Sequence, residues 1–178
     1  MYNNQPAIIE CHPDCVLRLL NNSDALLLAQ LANDKSIWLN VRDIFPFPYQ
    51  FNHAIEFISQ TNNNKKAWVW GIFSQDTLAG VAGVHFQDDV YQFSAELGYW
   101  LGVDFRGKGL ASAVVAAIVN YLFASTSIIR IYAGVFELNP ASIRVLEKND
   151  FVCEGVKRKA VFKDGKFLDE LIYARLKD

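Results

Sequence analysis

The chain has 178 residues, of which 52% are apolar and 20% charged, with a formal net charge of −2. That composition excludes a disordered chain, and the length suits a single domain over residues 1–178. No apolar run reaches the roughly 18–20 residues of a membrane span, residues 1–6 carry no basic-then-apolar leader, and the strong basic bias of a nucleic-acid binder is missing. A soluble cytoplasmic protein is expected.

The net charge conceals an asymmetry. Residues 1–105 hold 5 basic and 11 acidic side chains, and residues 106–159 hold 8 basic and 4 acidic. Such polarity suits a site that holds an anion on its basic side, and equally suits ordinary surface scatter. Three cysteines, Cys11, Cys15 and Cys153, are too few for a disulfide framework. Cys11-His12-Pro13-Asp14-Cys15 looks like half a zinc site, but a second ligand pair is missing, so no metal is expected.

In chain order, residues 16–20 read as a first strand, and Ser23 can cap a helix reaching about Asn33. Pro46 and Pro48 forbid regular helix in an aromatic loop, and residues 53–61 make a short helix. Strands at 67–73, 77–86 and 93–102 are joined by short turns and form an antiparallel meander. Residues 110–123 are apolar nearly all round and predict a central helix on the sheet. A buried strand at 128–136 precedes a helix with Asn139 as cap and Pro140 at its first position. Strands at 151–162 and 167–176 form a hairpin around Lys163-Asp164-Gly165-Lys166. The order is that of a mixed α/β sheet with helices on its faces.

Chemistry concentrates in residues 97–111, where a strand ends in Arg106-Gly107-Lys108-Gly109-Leu110-Ala111 and a long helix begins. Backbone N–H groups at the positive end of a helix dipole form a ready phosphate site. Gly107 and Gly109 leave room for phosphate oxygens, and Arg106 and Lys108 add charge. A plain glycine-rich turn is the bland alternative. A P-loop fails because Gly109 follows Lys108, where Ser or Thr is needed. A dinucleotide fingerprint fails because position 112 is Ser and the strands before it form a meander.

The segment does match Arg/Gln-x-x-Gly-x-Gly/Ala, the pyrophosphate loop of the GCN5-related N-acetyltransferases. Glu96-Leu97-Gly98-Tyr99-Trp100-Leu101 before it resembles the branch that includes the ribosomal-protein N-terminal acetyltransferases. So does Asn139-Pro140-Ala141-Ser142 followed by Leu146-Glu147-Lys148-Asn149-Asp150-Phe151. Asp150 stands where that branch usually has Gly, a change that a left-handed helix end tolerates. The resemblance covers residues 14–176. It implies a GNAT fold, a central mixed, mostly antiparallel sheet of about seven strands flanked by about four helices. It also implies acetyl-CoA as co-substrate and a primary amine, on a protein N-terminus or a small molecule, as acceptor. The chain is then a monomer or homodimer.

Carried onto this sequence, the resemblance places pantetheine against the strand end Leu101-Gly102-Val103, facing residues 131–135. The pyrophosphate falls to Arg106, Gly107, Lys108, Gly109, Leu110 and Ala111. Many family members protonate the departing thiolate with a Tyr in the following helix; none is present here, and Ser142 is the matching substitute. Asn139 contacts pantetheine or caps the helix. Glu96 is the expected base or acceptor-orienting residue, or a structural carboxylate. Phe45, Phe47, Tyr49 and Trp100 are expected to wall the acceptor site, or simply to pack. Some relatives place a Glu near Val161, which is apolar here. A non-catalytic acyl-CoA sensor on the same fold is the rival reading.

Overall fold

The computed structural model describes residues 5–12 and 14–177; residues 1–4, read for a leader, and Pro13 lie outside it. Two short strands come first, β1 (Ile8–His12) and β2 (Cys15–Arg18), paired antiparallel. The sequence reading lacks β1. Its apolar stretch is too brief to show a period, and pairing with β2 is what makes it a strand.

Asn21, rather than Ser23, opens the first helical segment. Its Oδ1 accepts from the Ser23 N–H at 2.9 Å, while Asp24 accepts from the Asn21 N–H at 2.9 Å. This capping box starts a 3-10 turn that runs into α1 (Ala25–Ala32). A second unforeseen element is α2 (Lys35–Trp38), four residues capped by Asp34 through the Ser36 N–H at 2.6 Å. There follow α3 (Phe51–Asn62), β3 (Ala67–Ser74), β4 (Thr77–Phe86), β5 (Ser94–Leu101) and α4 (Leu110–Ser125). The chain ends with β6 (Arg130–Phe136), α5 (Pro140–Glu147), β7 (Val152–Lys163) and β8 (Lys166–Leu176).

The sheet has eight strands in the order β1-β2-β3-β4-β5-β6-β8-β7, and β5–β6 is the parallel pair among antiparallel neighbours. Strand and helix numbers exceed the expected seven and four because of β1 and α2. Side chains alternate across each strand. Ala95, Leu97 and Leu101 of β5 therefore join α4 in one core, while Trp100 packs with α1 and α3 on the other face.

Local chemistry sets the turns. Asp150 has φ 60°, the left-handed conformation that lets Asp replace Gly after α5. Asp164 and Gly165, at φ 47° and 77°, make the two-residue turn between Lys163 and Lys166. Gly80 marks the tightest approach: a Cβ there would lie 2.1 Å from the Trp100 carbonyl oxygen on β5. Gly80→Ala is expected to cost about 1–3 kcal/mol by overpacking, read as a lower Tm. Gly98→Ala, whose Cβ meets nothing within 4 Å, is the control, expected within about 0.5 kcal/mol of wild type. Equal Tm values for the two variants would contradict this account.

Candidate active site

β5 and β6 run side by side for only three residue pairs, Ser94↔Arg130, Ala95↔Ile131 and Glu96↔Tyr132. Beyond them β5 stays with β4 as far as Leu101, and β6 stays with β8 as far as Phe136. The two strands diverge, and a wedge opens at Leu97. Its inner edges offer unpaired backbone amides to an extended ligand, much as an added strand would be held. A cavity of about 190 Å³ lies at the wide end of the wedge, walled by Tyr99, Trp100, Leu101, Arg106, Gly107, Ala111, Asn139 and Ser142. Gly102 continues the ladder of β5 with β4 by one residue beyond Leu101. The Gly102 N–H donates to the Ala79 carbonyl at 2.9 Å, and Val103 starts a 3-10 turn.

At the mouth of the wedge lies the glycine-rich loop. Gly107 and Gly109 adopt φ 74° and 80°, and a Cβ on either would meet no atom within 4 Å. Left-handed backbone, rather than crowding inside the protein, is what requires glycine here. Gly109 is the N-cap of α4 and supplies no side-chain cap, so first-turn N–H groups, including those of Leu110 and Ala111, remain available at the positive helix end. Lys108 is exposed on this loop. Arg106 is instead tied down: Nε donates to the Leu101 carbonyl and Nη1 to Ser36 Oγ, both at 2.9 Å. Its guanidinium clamps the loop to β5 and α2.

Across the wedge, Asn139 Oδ1 accepts from the Ser142 N–H at 3.1 Å, which is a cap on α5. Ser142 Oγ lies 2.8 Å from the Tyr99 hydroxyl. Tyr99 was missed by sequence reasoning, which looked for a phenol within the helix after Asn139; β5 supplies it from 43 residues away. Burial pushes the Tyr99 phenol up to about 12, against a smaller opposing effect of the Ser142 hydrogen bond. The signal in the sequence was Tyr99 lying on the same alternating face as Leu97 and Leu101.

A larger cavity, about 420 Å³, opens on the sheet face that carries Glu96. Glu96, Tyr132 and Gly134 form its floor, Glu170 comes from β8, and Arg42, Asp43 and Lys163 close its sides. Val41 belongs to the walls of both cavities. Glu96 and Ser142 therefore face different cavities, which approach each other beside the wedge. Glu96 is ion-paired with Arg42. Burial, then the Glu96 charge, pushes the Tyr132 phenol upward. Glu170 is the second residue missed by sequence reasoning. Val161 of the neighbouring strand β7 and Glu170 line the same cavity. Gly134 leaves room for it, since a Cβ there would lie 2.5 Å from Glu170 Oε1. The alternation of Leu168, Glu170 and Ile172 along β8 carried the signal.

The aromatic loop takes a different part from the one expected. Tyr49 is core, Phe45 packs on it at 4.8 Å and on Trp100 at 6.0 Å, and Phe47 stacks on Trp38 at 5.7 Å. Phe45, Phe47 and Tyr49 line neither cavity, and Trp100 walls the wedge rather than the larger one. Arg42 and Asp43 of the same loop face the larger cavity instead, because Phe45 and Tyr49 pack with α1 and α3 while the exposed Phe47 lies on Trp38 of α2. Among the described residues no group of three or more His, Cys, Asp or Glu side chains could hold a metal. No helix among them is long and apolar enough to cross a membrane.

A splayed parallel strand pair followed by an uncapped, glycine-led helix defines an acyl-CoA-dependent transferase. The family model described as an acetyltransferase (GNAT) domain matches residues 14–152. The chain belongs to the GCN5-related N-acetyltransferase family and is an acetyl-CoA-dependent N-acetyltransferase. It is 30% identical over 165 residues to an uncharacterized N-acetyltransferase, YoaA, of Bacillus subtilis (strain 168), covering 91% of this chain and 93% of that one. It is 27% identical to the [ribosomal protein uS5]-alanine N-acetyltransferase of Escherichia coli (strain K12), covering 97% and 92%. Among solved structures, a RimL ribosomal L7/L12 α-N-protein acetyltransferase in complex with coenzyme A superposes with TM-score 0.87 at 25% identity, over 96% and 98% of the two chains.

Proposed function

We propose that the protein transfers the acetyl group of acetyl-CoA to a primary amine by direct attack in a ternary complex, across the wedge between β5 and β6. The observation that carries this reading is the divergence of β5 from β6 after Glu96, with two cavities beside it that meet at Val41. Pantetheine fits the unpaired edge of β5, and pyrophosphate fits the first-turn N–H groups of α4 behind Gly107 and Gly109. The acceptor enters the larger cavity. Glu96 takes a proton from its ammonium, directly or through water, and the neutral nitrogen attacks the thioester carbon. The N–C bond forms and the C–S bond breaks. Ser142, hydrogen-bonded to Tyr99, passes a proton to the departing thiolate and is made good by the second proton that the nitrogen loses as the amide forms. The basic segment 106–159 favours the cofactor phosphates, and the acidic amino-terminal half favours a cationic amine.

Thiol release from acetyl-CoA across a panel of amines and peptide N-termini tests the reading. Release that requires an added amine, with an acetylated product by mass spectrometry, is the expected result. Tight CoA binding without turnover on any amine would overturn it in favour of a sensor. CoA affinity should also fall with salt, because exposed charges on the loop act through screened Coulomb attraction. Lys108→Ala is expected to weaken CoA roughly 2- to 5-fold, in line with one partly screened charge. Arg106→Ala is expected to lower Tm as well, since it removes the bonds to Leu101 and Ser36. An unchanged Kd in both variants, insensitive to salt, would remove the phosphate assignment of the loop.

A further inference from the structure

Three ion pairs line the larger cavity, and each joins a sheltered charge to an exposed one. Glu96 keeps 22% of its side-chain surface and Arg42 69%. Glu170 keeps 16% and Lys157 60%, at 3.0 Å. Lys163 keeps 2% and Asp43 70%, at 2.5 Å. Exposed members contribute little, because water screens them and a long side chain loses entropy in holding one geometry. A sheltered charge left without a partner costs far more. An incoming ligand therefore exchanges easily with Arg42, Lys157 and Asp43. What it then meets is two carboxylates and one ammonium.

The two kinds of charge are set apart along the cavity. Lys163 pairs with Lys166 at the hairpin tip, four residues along β8 from Glu170, which is about 13 Å of strand. The ammonium has three N–H donors. Asp43 Oδ1 accepts from it, and its nitrogen lies 3.9 Å from the centroid of the Trp38 ring. Trp38 and the hairpin tip hold Lys163 in place whether or not Asp43 stays.

We propose that the acceptor is dipolar: a primary amine whose ammonium docks at Glu96 and Glu170, with a carboxylate or phosphate several bonds away that replaces Asp43 on Lys163. The proposal rests on the acetyltransferase reading and names the substrate class for the same site. A polyamine satisfies the carboxylates but sets a further cation against Lys163. A free α-amino acid carries its two charges on one carbon and does not span the cavity. An amine with an acidic group farther along its chain satisfies both ends.

The test compares matched acceptors with saturating acetyl-CoA: Ala-Ala-Glu amide against Ala-Ala-Gln amide, and aminohexyl phosphate against aminohexanol. In wild type kcat/KM should favour the anionic member by about 10-fold, the value of one added charge-assisted hydrogen bond. Which pair shows the larger ratio tells carboxylate from phosphate. The ratio should fall to near one in Lys163→Met and rise above wild type in Asp43→Asn, which leaves Lys163 open to the ligand. Asp43 is exposed, so that variant keeps the test alive should Lys163→Met fail to fold. Ratios at or below one in wild type, or an unchanged ratio in Asp43→Asn, overturn the proposal. Calorimetry of the acetylated Ala-Ala-Glu and Ala-Ala-Gln amides with CoA present needs no turnover. If no amine is acetylated yet the acidic product binds about 10-fold tighter, acetyl transfer falls and the anion contact at Lys163 stands. Acetylation without charge discrimination gives the reverse.

Discussion

Glu96→Gln should lower kcat by about 100- to 10,000-fold, the usual contribution of a general base, with the acetyl-CoA Kd little changed. Gln keeps the size of the side chain and one acceptor oxygen but cannot take the amine's proton. Steady-state kinetics separates the alternatives. Were Glu96 only to orient a cationic acceptor, KM would rise with kcat nearly intact. Were it structural, Tm would fall and both constants would survive correction for folded fraction. Arg42 shares the Glu96 carboxylate and competes with the incoming ammonium. Arg42→Met is therefore expected to lower KM for the amine, and a rise in KM would instead mark Arg42 as part of the acceptor's binding surface.

Ser142→Ala and Tyr99→Phe should each lower kcat by about 100-fold, the low end of general-acid effects, and weaken acetyl-CoA binding far less, because thiolate stabilisation matters in the transition state. The two hydroxyls lie 2.8 Å apart and act as a unit, so the double variant should be no worse than the poorer single one. Full additivity would mean they act separately. Equal losses in kcat and in binding would leave Ser142 as a simple binding residue. Tyr99→Phe also has a pH signature. The folded-state phenol sits at about 12, above its ordinary value of 10. The native state therefore holds its proton longer than the unfolded chain, and stability present below pH 10 is lost as pH rises towards 12. Tyr49, raised to about 12 by its own burial, adds a like loss. Tm measured against pH should decline less steeply over that window in Tyr99→Phe than in wild type.

Residues whose roles depend on near neighbours were readable directly. Pro140 and Asn139 announced the start of α5, and Asn139 does cap it. Asp164-Gly165 announced the hairpin, whose turn residues both have positive φ. Ser142 lies beside the wedge because a cap and the residue three positions on share one helical turn. Tyr99 was not readable in this way, because its partner lies in another element, and neither residue's own surroundings in sequence mark the pairing. The aromatic loop failed for a related reason. Composition shows that Phe45 and Tyr49 can bury area, but whether they face a ligand or a core depends on where α1 and α3 lie.

By itself, then, the sequence determined the family, the order of most elements, the glycine-led loop before α4 and the presence of Glu96 in a strand that ends at it. Each of these follows from period, capping or backbone conformation within a few residues. Tertiary structure alone decided where β5 leaves β6, since that depends on the competing ladders with β4 and β8. It decided that Glu170 shares a cavity with Glu96, which needs Gly134 on the neighbouring strand to leave the space. It also carried Lys163 to Asp43, 120 residues away in the chain. No local rule encodes that contact, because the turn at Asp164-Gly165 fixes only the hairpin, and the place its tip reaches is set by how the whole sheet twists and packs.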